Sequence, residues 1–185
     1  MINNPPGEEQ SDETEMGERL KHHVISLEGA GPVSVYVQGD LERSRQQAAI
    51  FLTVHHVGCD YTSLVSWVSS PHMKEVRERA VFLHVSLPGQ EAECEDLPRD
   101  FSFPSLAQLG LSLVTVLDHL RISRVVGLGE GAGANILLRF GLCHPHRVHG
   151  VFAINLSTSL SRGRFMEALK VNYIKLSLQV NLIIC

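Results

Sequence analysis

The chain has 185 residues, of which 44% are hydrophobic and 19% charged, with a formal net charge of −4. This is the composition of one globular domain large enough to bury a core. Residues 1–20 carry six acids (Glu8, Glu9, Asp12, Glu13, Glu15, Glu18) against one base, Arg19, so the remaining body is close to neutral. That leaves no basic stripe for a phosphate backbone and argues against nucleic-acid binding. No apolar run reaches the roughly 18–20 residues that span a bilayer, so no transmembrane segment is expected.

The N-terminus, Met1-Ile2-Asn3-Asn4-Pro5-Pro6, has no basic region followed by an apolar core, and no glycine follows Met1 to be myristoylated. Cys59, Cys94, Cys143 and Cys185 form neither a CxxC pair nor a regular spacing. Reduced thiols and a cytoplasmic location are the expectation.

In chain order, residues 1–19 are acidic and poor in apolar groups, which predicts a disordered acidic tail. The runs His22 to Leu27 and Val33 to Gln38 flank Glu28-Gly29-Ala30-Gly31-Pro32 and predict a hairpin. Ala48 to Val54 reads as a strand buried on both faces, ending in His55-His56-Val57-Gly58. Ala80 to Val85 is a second such strand, closed by Ser86-Leu87-Pro88-Gly89, and 90–104 reads as a surface loop. A helix is expected from Ser105, with Gln108 completing a capping box. Its apolar stripe is Leu106, Leu109, Leu113, Leu117 and Leu120, a face for packing on a sheet. A strand over Ile122 to Leu128, a helix from Ala132 to about Cys143, a stop at His144-Pro145 and a strand over Val148 to Leu156 complete the order. Such alternation predicts an α/β fold, a mostly parallel sheet with helices on both faces, and the hairpin as an antiparallel edge.

The chemistry centres on Gly129-Glu130-Gly131-Ala132-Gly133. A strand, a tight turn reading Gly-x-Ser-x-Gly and a helix form the nucleophile elbow of α/β-hydrolases, where the serine hydroxyl is raised above the sheet. Here the third position is Gly131, which has no side chain with which to attack a carbonyl. The loop His55, His56 and Gly58 resembles the hydrolase loop that lends backbone N–H groups to an oxyanion. With no nucleophile to serve, its expected role is to tie down the chain beside the elbow. Glu130 reads as a solvated turn residue.

Other chemistries compete weakly. Gly127, Gly129 and Ala132 meet a relaxed dinucleotide fingerprint, but that motif belongs in the first βα unit, with an acid about 20 residues on. His144, His146 and His149 invite a metal, yet they bracket Pro145 in a loop, with Cys143 expected to be buried on the helix. No cofactor and no metal are therefore expected. Cys59, Ser157 and Ser159 sit near strand ends, but none lies on an elbow. The last histidine is His149, so no histidine–acid pair follows the turn as a hydrolase requires.

Four motifs fall in an order that resembles the N-myc downstream-regulated (NDRG) family. They are Leu52-Thr53-Val54-His55-His56-Val57-Gly58, His84-Val85-Ser86-Leu87-Pro88-Gly89-Gln90, Phe103-Pro104-Ser105-Leu106-Ala107-Gln108-Leu109 and Gly127-Leu128-Gly129-Glu130-Gly131-Ala132-Gly133-Ala134. The likeness runs from about Val24 to Lys170. It implies an α/β-hydrolase fold without enzymatic activity, acting in cytoplasmic stress response, differentiation, signalling or trafficking through protein or lipid contacts. The chain departs from the family at His56, where an aspartate is usual, and at Ser86-Leu87, where Asp-Ala is usual.

These readings divide the chain into a tail over 1–19, a partial hydrolase-like domain over 20–170 and a divergent apolar tail over 171–185. The later strands of the fold are expected to be missing, as in a truncated form. Every valine codon begins with the GT of a splice donor, so the expectation is intron read-through from Val171. The apolar tail is expected to pair with the open sheet edge or to promote self-association. Protein partners are expected. A residual esterase or lipase-like hydrolase with displaced catalytic groups, and a nucleotide-binding module, are the alternatives.

Overall fold

The valines of β3 (Gly31–Gln38) explain how the sheet is covered: Val33, Val35 and Val37 alternate with Ser34, Tyr36 and Gln38, and both sets are buried. A strand buried on both faces needs a layer above and a layer below. The computed structural model describes residues 11–13, 19–44, 49–91, 97–156 and 181–184.

The other strands are β1 (Ser11–Glu13), β2 (Arg19–Leu27), β4 (Ala49–Val54), β5 (Ala80–Ser86), β6 (Val125–Glu130), β7 (Val148–Ile154) and β8 (Asn181–Ile184). They form one sheet in the spatial order β1-β2-β3-β5-β4-β6-β7-β8. The pairs β1–β2, β2–β3 and β3–β5 are antiparallel; β4–β5, β4–β6, β6–β7 and β7–β8 are parallel. The predicted hairpin is β2–β3, and it forms the expected antiparallel side.

The helices are α1 (Leu41–Ser44), α2 (Tyr61–Ser69), α3 (Lys74–Arg77), α4 (Leu106–Ser112), α5 (Val114–His119) and α6 (Ala132–Cys143). Val33, Val35, Val37, Leu52, Val54, Leu83 and Val85 pack into one core with Leu109 and Leu113, Leu117 of α5, and Ile136, Leu137 and Phe140 of α6. On the other face Tyr61 of α2 stacks on Tyr36 at 3.6 Å between ring centroids, and Val68 packs against Phe82. The steps β4→β5 and β6→β7 run in opposite directions across the sheet. Right-handed crossovers then place α2 and α6 on opposite faces.

A buried polar chain crosses the α2 face. Thr53 and His84 are direct partners on β4 and β5, as are His84 and Tyr36 on β5 and β3. Gln38 Nε2 donates to Ser69 Oγ at 2.9 Å, so its Oε1 accepts from His84 Nε2 at 3.0 Å. That leaves His84 Nδ1 to accept the Thr53 hydroxyl at 2.8 Å. Burial pushes the His84 imidazole down to about 3, so it is neutral.

Several boundaries differ from the sequence reading. Ser11–Glu13 pair with β2, and Arg19 opens β2, so the disordered tail expected over 1–19 is corrected at those positions. The helix expected from Ser105 is two helices, although its capping box forms as read. Ser112 Oγ donates back to the Gln108 carbonyl at 2.8 Å, a bond that weakens and bends a helix just where this one divides. The strand expected from Ile122 starts at Val125, after a positive-φ turn at Arg121, and runs to Glu130. The last predicted strand stops at Ile154, because Asn155 takes φ +48°. From the apolar tail, Asn181–Ile184 pair in parallel with β7.

Candidate functional site at the glycine elbow

β6 ends at Glu130 and α6 begins at Ala132, which leaves Gly131 as the whole turn, at φ +55° and ψ −111°. An L-residue is strained in this region, whereas glycine enters it freely. The flanking glycines let strand and helix approach. A Cβ on Gly129 would lie 2.7 Å from the Ala134 nitrogen, and one on Gly133 would overlap the Val54 carbonyl oxygen. The start of α6 therefore sits directly on the end of β4. The Gly131 N–H donates to the Ile154 carbonyl at 2.9 Å, fixing the turn to β7 as well.

The ring of His56 stands over this turn. Its Nδ1 accepts the Ala132 N–H at 3.2 Å, so the neutral ring carries its proton on Nε2. A Cβ on Gly131 would overlap that ring, with Cε1 at 2.7 Å and Cγ at 2.9 Å. In α/β-hydrolases the N–H after the nucleophile helps to hold the oxyanion. Here an imidazole takes that donor and also fills the space into which a nucleophile's side chain would extend.

His55 points elsewhere and is buried. Its Nε2 accepts the Leu87 N–H at 3.1 Å, so Nδ1–H donates to the His56 carbonyl at 2.8 Å. Burial lowers its pKa, opposed by the bond to that carbonyl and by the Asp60 charge. Gly58 takes φ +86° and gives its N–H to Gln90 Oε1 at 2.7 Å. The loop is thus tied at three points: to Leu87, to Ala132 and to Gln90.

The remaining sequence candidates scatter. Glu130 is partly exposed, and the Asn155 amide approaches its carboxylate at 3.5 Å. Cys59 is exposed; so is Cys143, contrary to the buried position expected, because it closes α6 on the side away from the core. His144 Nε2 bonds to the Leu111 carbonyl at 2.9 Å, while His146 and His149 line a surface cleft of about 390 Å³ with Arg124. Among the described residues no three His, Cys, Asp or Glu side chains gather as a metal site. Ser157, Ser159, Cys94 and Cys185 lie outside the described residues. Sequence reasoning missed the pairing of His56 with Ala132 and the His84 chain. A histidine inside the apolar run Ala80 to Val85 was the available signal for the second.

Among the described residues no helix is long and apolar enough to cross a membrane. Solved α/β-hydrolase structures share the fold. Naproxen esterase from Bacillus subtilis aligns with a TM-score of 0.56 at 19% identity, over 84% of this chain and 50% of that one. Epoxide hydrolase from Vigna radiata aligns with a TM-score of 0.58 at 15% identity, over 83% of this chain and 47% of that one. An uncharacterized protein of Caenorhabditis elegans is 39% identical over 142 residues, 77% of this chain and 43% of the relative. Protein NDRG2 of Pan troglodytes is 35% identical over 146 residues, 78% of this chain and 40% of the relative. The chain thus spans less than half the length of these relatives. The pattern of the Ndr family matches residues 23–179, which continues past Lys170 and corrects the divergence expected to begin at Val171. On that match, and on these relatives, the chain belongs to the Ndr family.

Proposed function

We propose that this protein is a non-catalytic α/β-hydrolase-like scaffold that works in the cytoplasm, in signalling, stress response, differentiation or trafficking, through protein or lipid contacts. The observation that carries the reading is the elbow: Gly131 supplies no nucleophile, and the oxyanion-type donor on Ala132 is bonded to His56. A hydrolase needs both an attacking group and a free donor for the developing negative charge. The sheet, its two helical layers and the strapped loop remain as a rigid surface. β8 lies at one margin of the sheet, where an added strand from a second chain offers a route to self-association.

The test is turnover of short-chain aryl esters by the purified chain, set against a heat-denatured sample. No rate above that control is expected, and Gly131→Ser should not create one. Turnover that disappears in Cys59→Ala would replace this reading with a hydrolase using a displaced thiol.

A further inference from the structure

We propose that the segment preceding Ser11 docks on its own chain: residues 8–10 extend β1 along the open edge of β2, and the Glu9 carboxylate enters a cationic cleft between β2 and the end of α5. β1 covers only residues 19–21 of β2, which runs on to Leu27. Among the described residues, 22–27 have no strand on the side away from β3. Such an edge presents a row of backbone donors and acceptors to any strand that reaches it. The chain before Ser11 starts from that edge, because Ser11 stands opposite Lys21 in the antiparallel ladder.

The cleft supplies the other half of the match. It measures about 270 Å³, and Lys21, His23, Glu42, His119 and Arg121 line it over an apolar floor. Glu42 offsets one of the two permanent cations, Lys21 and Arg121, so with neutral imidazoles the lining sums to +1. One incoming carboxylate balances it. Arg121 is itself an unusual occupant of its position. It follows α5 at φ +55°, the left-handed place after a helix where glycine is the common choice. The turn is fixed by the Ile122 N–H to the Leu117 carbonyl at 2.7 Å and the Arg121 N–H to the Asp118 carbonyl at 3.1 Å.

The register selects which acid enters. Counting back from the Ser11–Lys21 pair, residue 9 falls opposite His23 and residue 8 opposite Val24. Directly opposed residues share a face, and successive residues alternate between faces. Lys21 and His23 line the cleft, whereas Val24 lines a separate groove with Ser34 and Pro88. Glu9 therefore meets the cations and Glu8 does not. Pro5-Pro6 ends the extension, because proline has no N–H to give to a ladder.

The experiment uses the full chain, labelled with ¹³C and ¹⁵N. NOEs are expected between residue 9 and His23 and between residue 8 and Val24. In a mixture of labelled and unlabelled chains they should remain within one molecule. Intermolecular NOEs assign the edge to a second copy and overturn the proposal, as do random-coil shifts over 8–10.

Charge reversal then tests the cleft. Arg121→Glu should move the amide shifts of 8–10 at least halfway to random-coil values, and adding Glu9→Arg should restore them. Glu8→Arg should not. If Arg121→Glu fails to fold, Lys21→Glu takes its place in the same comparison. Shifts indifferent to the reversal, or restored equally by Glu8→Arg, overturn the proposal.

Discussion

His55 and Leu87 stitch together the ends of two parallel strands: the imidazole Nε2 accepts the Leu87 N–H at 3.1 Å, just beyond β4 on one side and β5 on the other. The opposite ring nitrogen supports the His56 carbonyl at 2.8 Å. Replacing the ring leaves a buried donor unpaired, which costs about 1–3 kcal/mol beyond the lost packing. His55→Ala should lower stability by about 3 kcal/mol, measured by urea unfolding. His55→Gln, which keeps an acceptor, should cost less.

Acid should weaken the fold through its buried histidines. His84 is held neutral down to about 3, and His55 is also shifted down by burial. An unfolded histidine titrates near 6.5, so below that pH the unfolded chain binds protons that the folded one refuses. Their contribution is complete above about pH 6.5 and is lost as pH falls toward 3. The slope approaches about 1.4 kcal/mol per pH unit for each fully neutral histidine. Urea titrations between pH 7 and pH 4 should show it, and His84→Gln should flatten it. A slope unchanged in that variant contradicts the assignment.

Ser86 offers the reverse case. Its hydroxyl is buried with no hydrogen-bond partner among the described residues. Ser86→Ala removes an unpaid desolvation and should leave stability unchanged or raise it by about 1 kcal/mol. Thr53→Val, by contrast, takes the donor from His84 Nδ1 and should cost about 1–2 kcal/mol. Thermal melts of both variants side by side give the comparison.

The glycines of the elbow are not equivalent to those of the hairpin turn. A methyl group at Gly133 meets the Val54 and His55 carbonyl oxygens, which are backbone and have nowhere to go. Gly133→Ala should cost about 3 kcal/mol or more, or prevent folding, as overpacking against fixed atoms does. Gly29, at φ +70° with open space around it, should lose only about 1–2 kcal/mol on the same change. Equal losses would mean that the closeness of α6 to β4 is overstated.

Local signals were legible. Ser105 and Gln108 form the capping box their spacing announced, and α6 runs from Ala132 to Cys143 as its apolar run and the His144-Pro145 stop required. The elbow's position was also readable, because a glycine-rich turn between an apolar strand and a helix has few other meanings. Helix α2 went unread although Asp60 caps it, accepting from the Thr62 N–H at 2.9 Å, and Tyr61, Leu64, Val65 and Val68 carry the helical period. Interleaved Ser63, Ser66 and the exposed Trp67 blurred that stripe. The direction of the His56 ring was not readable at all. It depends on a meeting with Ala132, 76 positions away, that exists only once β4 and β6 lie side by side.

The chain of Thr53, His84, Gln38 and Ser69 links β4, β5, β3 and α2 by side-chain bonds alone. Sliding any of these strands by one residue would turn its member of the relay to the opposite, hydrocarbon-lined side and strand the others without partners. Oily residues of similar size can trade neighbours at little penalty, but these four cannot. The centre of the molecule thus admits a single alignment, and helix α2 is keyed to it.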